Sequence, residues 1–355
     1  MRELPNPPPF RWAIPAIAAV AGALAFAFAW SAGLIGSGPT SKSFVNTSTD
    51  FPPGFRRAHG KGMCFVATFR PSGEARVLSS ARAFSQPEVP VIGRFSIGTG
   101  SPFASDLSTK TVSMALLMAT DDHQQWRLAM NNQPFFATKT SQGFLDMQAA
   151  FSPDPATGKP NDKRVAEFLD EHPETKPFLK LADEAPTPGS FAGAEFNGVN
   201  SFYLVSNEGR HTAVRWAMRP HESFVELADD QRSKVGENYL FEDLKRRLGQ
   251  KHLYWDLVIQ VAAANDLVDD PSKPWPEDRK LLVAGTLEVT EVSDQSQGAC
   301  RDINYDPTIV PTGIEVSNDP ILSARSAAYS HSFNLRERDI GYGRATDAIG
   351  KEVVQ

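Results

Sequence analysis

Three short segments, far apart in the chain, carry side chains that could act together on one bound molecule. The segment FRRAHGKG holds His59, whose imidazole can take up and release a proton near neutral pH. The segment MNNQPFF holds Asn131, an amide that can donate hydrogen bonds, beside aromatic rings. A third segment holds Arg325 and Tyr329, four residues apart. The three segments thus supply an acid–base group, a neutral hydrogen-bond donor and a phenol paired with a cation.

The arginine–tyrosine pair falls in a predicted helix. Asn318 or Asp319 can cap its start, Pro320 favours the first turn, and residues four apart lie on one helical face. A phenol titrates near pH 10, so an ionised tyrosine at neutral pH needs a shift of at least ~3 units, roughly 4 kcal/mol. A metal ion can supply most of that shift, and a neighbouring guanidinium adds to it. The pair therefore suits a tyrosinate metal ligand, although its spacing alone is more often that of an ordinary amphipathic helix.

His59 and Asn131 are also ambiguous when each is taken alone. His59 has no acidic or metal-binding neighbour in sequence, and an isolated histidine is more often structural. Asn131 is followed by Asn132, and two adjacent asparagines are typical of a turn. The length of the surrounding motifs therefore has to decide between these interpretations.

In this order, the segments resemble those of the monofunctional haem catalase family, and within it the short, membrane-anchored branch of catalase-related peroxidases. The motifs that carry the resemblance are RRAHGKG, GRFSI, MNNQPFF, FNGVNSF, the turn NEG, and DPTIVPTGIE, which leads into the predicted helix. They extend from about Phe51 to Arg336. The resemblance implies an α+β fold, an eight-stranded antiparallel β-barrel with helical insertions.

The same resemblance implies a haem b cofactor and assigns roles around it. Tyr329 is expected to be the axial ligand of the iron, the type of ligand that general haem chemistry assigns to catalases. His59 and Asn131 are expected to act on the opposite face, with Ser96 hydrogen-bonded to His59 to fix its tautomer. The other expected contacts are Arg56, Arg94 and Arg336 to the haem propionates, Arg325 to the tyrosinate, and Phe136 and Phe144 to the haem plane. Core packing explains the two phenylalanines equally well.

These residue types fit the chemistry of a peroxide. One peroxide oxygen must lose a proton and the other must gain one before the O–O bond breaks heterolytically, and a neutral imidazole can do both. An amide N–H held over the iron can bind the peroxide and offset developing charge. The substrate implied is a peroxide, with an electron donor that the sequence does not identify.

The chain departs from the family pattern at several points. Ala58 stands where a bulky aliphatic residue usually precedes the histidine, which is expected to widen access to the iron. Asn200 stands where a histidine is expected behind Arg325, while Asp319 matches that histidine's acidic partner. The sequence ends 19 residues after Arg336, so we expect no counterparts of the wrapping arm, helical domain and nicotinamide site of full catalases.

Composition narrows the class of protein. The chain has 355 residues, 41% of them hydrophobic, which is typical of a globular protein. A net charge of −6 without a basic cluster argues against nucleic acid as a partner. Cys64 and Cys300 show neither metal-ligand spacing nor a CxxCH motif, so both a disulfide and two buried thiols remain open.

The N-terminal region predicts a membrane anchor. Residues 12–36 contain no charged side chain, and about 20 apolar residues suffice to cross a bilayer. The expected organisation is a cytoplasmic segment at 1–11, a transmembrane helix at 12–36, a linker at 37–50 and a haem domain at 51–355. Arg2 and Arg11 favour an N-terminus inside, hence a periplasmic or otherwise extracytoplasmic domain. A cleaved signal peptide is the alternative, although its apolar region is usually only about 7–15 residues long.

Alternating and helical patterns locate the elements that position the site. We predict strands at residues 64–69, 201–205, 213–218, 252–262 and 281–292, and helices at 163–170 and 239–248. Asn207-Glu208-Gly209 predicts a hairpin turn between the second and third of these strands.

Three functions are consistent with the sequence. The first is a haem peroxidase that reduces organic hydroperoxides and hydrogen peroxide, with catalase activity as its close relative. The second is a lyase of the allene oxide synthase type on the same fold. The third is a haem-binding protein without turnover. The full set of His59, Ser96 and Asn131 favours catalysis, because a carrier does not need an acid–base group.

Overall fold

The described part of the chain is built on a closed ring of eight antiparallel strands. The computed structural model describes residues 22, 40, 42–45 and 51–342. The strands are β1 (Gly62–Pro71), β2 (Val89–Ile97), β3 (Val112–Ala119), β4 (Gln125–Asn131), β5 (Phe196–Val205), β6 (His211–Pro220), β7 (Leu253–Val261) and β8 (Leu281–Asp294). They pair in the order β4-β3-β2-β1-β8-β7-β6-β5, and β4 then pairs with β5 at Asn131 and Asn197. A short strand β9 (Ile314–Val316) adds to β5.

Helices enter in the connections between strands. Three follow β4, two lie between β6 and β7, and one long helix follows β9. They are α1 (Ser141–Phe151), α2 (Asp162–Glu171), α3 (Thr175–Glu184), α4 (Asp229–Arg232), α5 (Tyr239–Leu248) and α6 (Pro320–Gly341). The observed fold is therefore the predicted antiparallel β-barrel with helical insertions.

Apolar side chains of alternate strand residues fill the inside of the barrel. In β1, Phe65, Ala67 and Phe69 are buried while Val66 is exposed, the period of two that a half-buried strand requires. Phe95 of β2 packs near the centre, with its ring centroid 4.6 Å from that of Phe65. Because this face of each strand is used for the core, the outer face is free to build something else.

Most of the sequence-predicted elements are confirmed. The hairpin of β5 and β6 turns through Asn207–Gly209, and α5 covers residues 239–248 as predicted. Asp319 is the N-cap of α6, where its carboxylate accepts a hydrogen bond from the backbone N–H of Ile321 at 2.8 Å. Of the two possibilities for the cysteines, the structure has the disulfide, Cys64–Cys300.

The N-terminal predictions fall mainly outside the described residues. The chain divides into two compact units, residues 1–40 and 41–355. The segment 1–11 and the predicted anchor 12–36, apart from Gly22, are not among the described residues. Within the part of the chain that is described, no helix has the length and apolar character needed to cross a bilayer. Residues 42–45 fall in the predicted linker, but Val45 is buried and belongs to the unit of residues 41–355.

Candidate functional site

The outer face of three neighbouring strands forms the floor of a cavity. Alternate residues of β2, β3 and β4 point to this face, and in each strand two of them line the cavity. They are Arg94 and Ser96 in β2, Ser113 and Ala115 in β3, and Ala129 and Asn131 in β4. Direct cross-strand pairing of Arg94 with Ala115, and of Ala115 with Ala129, leaves two small side chains beside one arginine. The floor therefore offers space as well as polar groups.

Helix α6 covers this floor with a single stripe of residues. The stripe recurs at intervals of three or four residues, as one face of a helix must. It consists of Ile321, Ala324, Arg325, Ala328, Tyr329, Ser332, Phe333 and Arg336. The cavity between floor and helix has a volume of about 280 Å³.

All ten residues selected from the sequence line this one cavity. They are His59, Asn131, Ser96, Arg56, Arg94, Phe136, Phe144, Arg325, Arg336 and Tyr329. They come from residues 56–59, β2, β4, the segment after β4, α1 and α6. The fold thus brings together the segments whose order in the sequence suggested one site.

On the tyrosine side, a chain of hydrogen bonds leads away from the phenol. Arg325 Nη2 donates to Tyr329 Oη at 3.4 Å and to the carbonyl of Ala129 at 2.9 Å. Its Nη1 donates to Asn200 Oδ1, and Asn200 Nδ2 donates to Asp319 Oδ2 at 2.7 Å. Burial raises the pKa of Asp319, and the hydrogen bond from Asn200 opposes that shift. Asn200 therefore lies between Arg325 and the acidic residue, the position inferred from the sequence.

On the histidine side, the backbone of His59 adopts an uncommon conformation. Its φ is +51°, in the left-handed region that few residues other than glycine occupy. Arg94 holds this segment, since its Nη2 donates to the carbonyls of His59 at 2.8 Å and Gly60 at 3.2 Å. Gly62 permits the approach, because a Cβ there would lie 2.4 Å from Arg94 Cζ. The role of Gly62 is thus to make room for Arg94.

The imidazole of His59 is held as a neutral base. Burial lowers the pKa of His59 to about 4, and the charges of Arg94 and Arg325 act in the same direction. A hydrogen bond to the backbone of Ile97 opposes the shift. At neutral pH the ring is therefore uncharged and can accept a proton.

The serine that contacts His59 is not the one expected from the sequence. Ser113 Oγ and His59 Nδ1 are 3.2 Å apart and share a hydrogen bond, whereas Ser96 lines the cavity without this bond. Ser96 and Ser113 face each other directly across β2 and β3. The assignment of Ser96 as the partner of His59 is therefore wrong, because the partner is Ser113 on the neighbouring strand β3. The register that places a serine opposite Ser96 could not be derived from the motif GRFSI.

The choice between the two asparagines is supported by their contacts. Asn132 is occupied structurally, because its Oδ1 accepts from the N–H of Val112 and its Nδ2 donates to the carbonyl of Lys110. Asn131 Oδ1 accepts from the N–H of Gln133 at 2.8 Å. Its side chain lines the cavity, and no described residue accepts from its NH₂ group. Asn131 is thus the amide that can donate to a bound molecule.

Three arginines converge on one end of the cavity. Burial lowers the pKa of Arg56, and the charges of Arg94 and Arg336 lower it further. Arg94 Nε and Arg336 Nε are buried without a hydrogen-bond partner. Arg336 Nη2 lies 3.4 Å from Glu337, and its Nη1 is 4.0 Å from Asp302. Buried cations that repel one another and retain unpaired nitrogens fit a ligand that carries negative charge.

Aromatic side chains form part of the remaining wall. Phe136 and Phe144 lie 5.2 Å apart between ring centroids, and both line the cavity. Phe44, Val45 and Phe333 add to the apolar lining. The cavity therefore combines apolar walls with a cationic end.

The sequence did not predict the contact that joins the His59 segment to helix α6. Arg57 Nη2 and Asp339 Oδ2 form a buried salt bridge at 2.8 Å, and the N–H of Arg57 donates to Ser332 Oγ at 3.3 Å. This contact docks the segment of His59 onto α6. In the sequence, only the charge of Arg57 in RRAHGKG indicates a salt bridge, and it does not identify Asp339 as the partner.

Comparison with known proteins identifies the family. The family model described as Catalase matches residues 54–339. The chain belongs to the catalase family. It is thus an enzyme of the catalase superfamily, as the resemblance predicted, and the match includes all ten residues selected from the sequence.

The chain matches two catalase-related peroxidases over most of their length. A catalase-related peroxidase of Synechococcus elongatus is 31% identical over 334 residues, which cover 93% of this chain and 98% of that protein. A catalase-related peroxidase of Mycolicibacterium paratuberculosis is 30% identical over 286 residues, which cover 80% of this chain and 90% of that protein.

A solved bacterial catalase has the same fold. It superposes with a TM-score of 0.70 at 21% identity, over 79% of this chain and 57% of the larger protein. The barrel and its helical insertions are therefore those of the catalase fold.

Proposed function

We propose that the protein is a haem b-dependent peroxidase that reduces hydrogen peroxide and organic hydroperoxides with electrons from a separate donor. The observation that carries the proposal is one cavity with the Arg325–Tyr329 pair on one side and His59 and Asn131 on its lining. The two similar catalase-related peroxidases support the same activity.

The residues of the cavity fit haem. A flat, largely apolar group with two acidic substituents matches apolar walls that end in Arg56, Arg94 and Arg336. The unpaired Nε atoms of Arg94 and Arg336 are donors that propionate oxygens would satisfy. Tyr329 would hold the iron, and Phe136 and Phe144 would pack against the ring system. When bound, haem supplies the redox chemistry of peroxide cleavage.

The side chains of the chain would then move protons and bind the substrate. Neutral His59 accepts the proton from one oxygen of the peroxide and returns it to the other, the leaving oxygen. The NH₂ group of Asn131 donates a hydrogen bond to the peroxide and offsets the negative charge that develops on it. Ser113 fixes the orientation of the imidazole through its hydrogen bond to Nδ1. Arg325 stabilises the tyrosinate through charge and a hydrogen bond.

Oxygen evolution from hydrogen peroxide is the second candidate function, because the matched family model is that of catalase. The full chain, loaded with haem in detergent, is assayed for oxygen evolution and for oxidation of a phenolic donor by cumene hydroperoxide. Donor oxidation as the faster reaction supports the proposal, and vigorous oxygen evolution supports catalase. Rearrangement of a fatty-acid hydroperoxide without any donor would instead indicate a lyase of the allene oxide synthase type.

We also propose that residues 12–36 anchor the protein in a membrane, with residues 51–355 in the periplasm or another extracytoplasmic compartment. The apolar run of the sequence supports the anchor, and the buried Cys64–Cys300 disulfide is typical of proteins outside the reducing cytosol. A reporter active only in the cytoplasm, fused after Gln355, tests the topology. It should give no signal, and a strong signal would overturn the proposal.

A further inference from the structure

The disulfide lies next to the cationic end of the cavity. Cys64 projects from the outer face of β1, where it is the direct cross-strand neighbour of Arg94. Its partner, Cys300, belongs to the irregular segment between β8 and β9, and both cysteines are buried. A bond across 236 residues of sequence thus attaches this segment, residues 298–303, to the wall of the barrel.

Backbone carbonyls of the attached segment hold Arg56. Nη2 of Arg56 donates to the carbonyl of Cys300 at 2.9 Å and to that of Ile303 at 2.8 Å. A weaker contact reaches the carbonyl of Arg301 at 3.3 Å. No described residue accepts a hydrogen bond from Nη1 or Nε of Arg56. The carbonyls therefore orient the guanidinium through Nη2 and leave Nη1 and Nε able to donate to a ligand.

The backbone of the segment makes few hydrogen bonds to the rest of the described chain. Its backbone hydrogen bonds at Gly298, Arg301 and Ile303 are local turns, with acceptors no more than four residues away. Gly298 packs closely against the crosslink, since a Cβ there would lie 2.5 Å from Cys64 Sγ. Apart from the crosslink, Ile303 packs against the buried cluster of Cys64, Leu117 and Tyr305, Asp302 lies 4.0 Å from Arg336, and the carbonyl of residue 304 accepts from Arg127. The disulfide is the one covalent contact among these, and it fixes Cys300 directly to β1, so the positions of the Cys300 and Ile303 carbonyls depend on it.

We propose that the Cys64–Cys300 disulfide is a positioning element of the cofactor site. It fixes the two carbonyls that aim Arg56 at the anionic groups of the cofactor, so retention of the cofactor depends on the crosslink. The inference rests on the proposed binding of haem.

The test compares haem dissociation from full-length variants, measured by transfer of haem to excess apomyoglobin. We expect Cys64→Ser/Cys300→Ser and Arg56→Ala each to release haem about 10-fold faster, the effect of one lost charged hydrogen bond. In the triple variant, loss of the crosslink should add little to Arg56→Ala, because both changes act through one contact. Additive effects, or an unchanged rate in the disulfide variant, would overturn the inference.

A matched control separates this effect from general destabilisation. A long crosslink also restricts the unfolded chain, so its loss weakens the whole fold. Leu244→Ala removes a fully buried side chain of α5, which does not line the cavity, and should lower the melting temperature without faster haem release. Gly298→Ala keeps both cysteines but displaces the segment against Cys64, so it should accelerate haem release even if the serine variant does not fold.

Hydrogen–deuterium exchange gives a readout that needs no haem. In the apoprotein, amides of residues 298–303 should exchange faster in Cys64→Ser/Cys300→Ser than in the wild type, with the strands β2 to β4 unchanged. Equal exchange in this segment would overturn the inference, whatever the protein binds. Failure of the wild type to take up haem would instead overturn the proposed function, and the exchange result would still decide whether the crosslink fixes the segment.

Discussion

Asn200 accepts a hydrogen bond from Arg325 and so orients the guanidinium that contacts Tyr329. Asn200 is itself fixed by its donation to Asp319, and the residue is only 1% exposed. A neutral amide carries no charge, so Asn200 acts on Arg325 only through this hydrogen bond. The guanidinium of Arg325 is therefore held beside the tyrosine by its hydrogen bond to Asn200.

The first prediction concerns the effect of Asn200 on the iron. In Asn200→Leu, Arg325 should lose its orientation and the tyrosinate should donate more charge to iron. The reduction potential of the haem should then fall by roughly 40 mV, because a hydrogen bond contributes about 1 kcal/mol and 59 mV corresponds to a factor of ten for one electron. Spectroelectrochemical titration measures the potential. Arg325→Leu should lower it at least as much, and a further drop on combining the two changes would contradict a shared path.

The second prediction distinguishes the roles of Ser96 and Ser113, which are direct neighbours on the adjacent strands β2 and β3. Ser113→Ala removes the hydrogen bond to His59 and should slow the initial reaction with peroxide about 5- to 10-fold, the effect of roughly 1 kcal/mol. Ser96→Ala removes the same atom from the neighbouring strand and should change the rate less than twofold (~0.4 kcal/mol). Stopped-flow absorbance measures both rates. A larger effect of Ser96→Ala would restore the assignment made from the sequence.

The third prediction is a pH profile. The pKa of His59 lies near 4, below its usual 6.5, because of burial and of the charges on Arg94 and Arg325. The wild-type rate of the initial reaction should therefore stay flat from pH 7 to about 5 and fall towards pH 4. The free energy of unfolding should also fall as the pH falls from about 6.5 to 4, since the unfolded chain takes up this proton near pH 6.5 and the folded chain only near 4. Acid should thus weaken the wild type more than His59→Gln; equal pH dependence of unfolding would exclude this origin.

The fourth prediction concerns catalysis by His59 and ligation by Tyr329. His59→Ala should lower the rate of the initial reaction about 10²–10⁴-fold without releasing haem, the range for lost acid–base catalysis. Tyr329→Phe should lack the phenolate charge-transfer band while the pocket remains folded. Stopped-flow absorbance measures the rate in haem-loaded His59→Ala. The optical spectrum of haem-loaded Tyr329→Phe shows whether the phenolate band is lost. A wild-type spectrum in Tyr329→Phe would exclude this residue as the ligand.

The sequence was most informative where function constrains local motifs. Residues such as His59, Asn131 and Tyr329 lie in short segments with recognisable neighbours, so each could be selected without knowledge of the fold. The start of α6 was also predictable, because Asp319 and Pro320 form a local capping pattern. In these cases the information lies within a few residues of the side chain concerned.

Contacts set by long-range register were not predictable. Ser113 meets His59 because β2 and β3 pair with Ser96 opposite Ser113, and one sequence does not contain that register. Likewise, the cysteines are 236 residues apart, and only the path of the chain after β8 brings Cys300 to β1. The salt bridge of Arg57 with Asp339 depends on how α6 docks, again a property of the assembled fold.

The last prediction concerns access to the cavity through Ala58. Ala58 lines the cavity next to His59 and is exposed, so a larger side chain there would narrow the approach to the imidazole. Ala58→Val should therefore reduce kcat/KM for cumene hydroperoxide at least 5-fold more than for hydrogen peroxide, since only the larger substrate meets the two added methyl groups, an effect of about 1 kcal/mol. Val77→Ala, an exposed site away from the cavity, should alter neither substrate. The ratio of donor oxidation to oxygen evolution should fall in the same variant, because a narrower entrance excludes bulky reductants before it excludes a second hydrogen peroxide. Equal losses with both peroxides would show that Ala58 does not control entry.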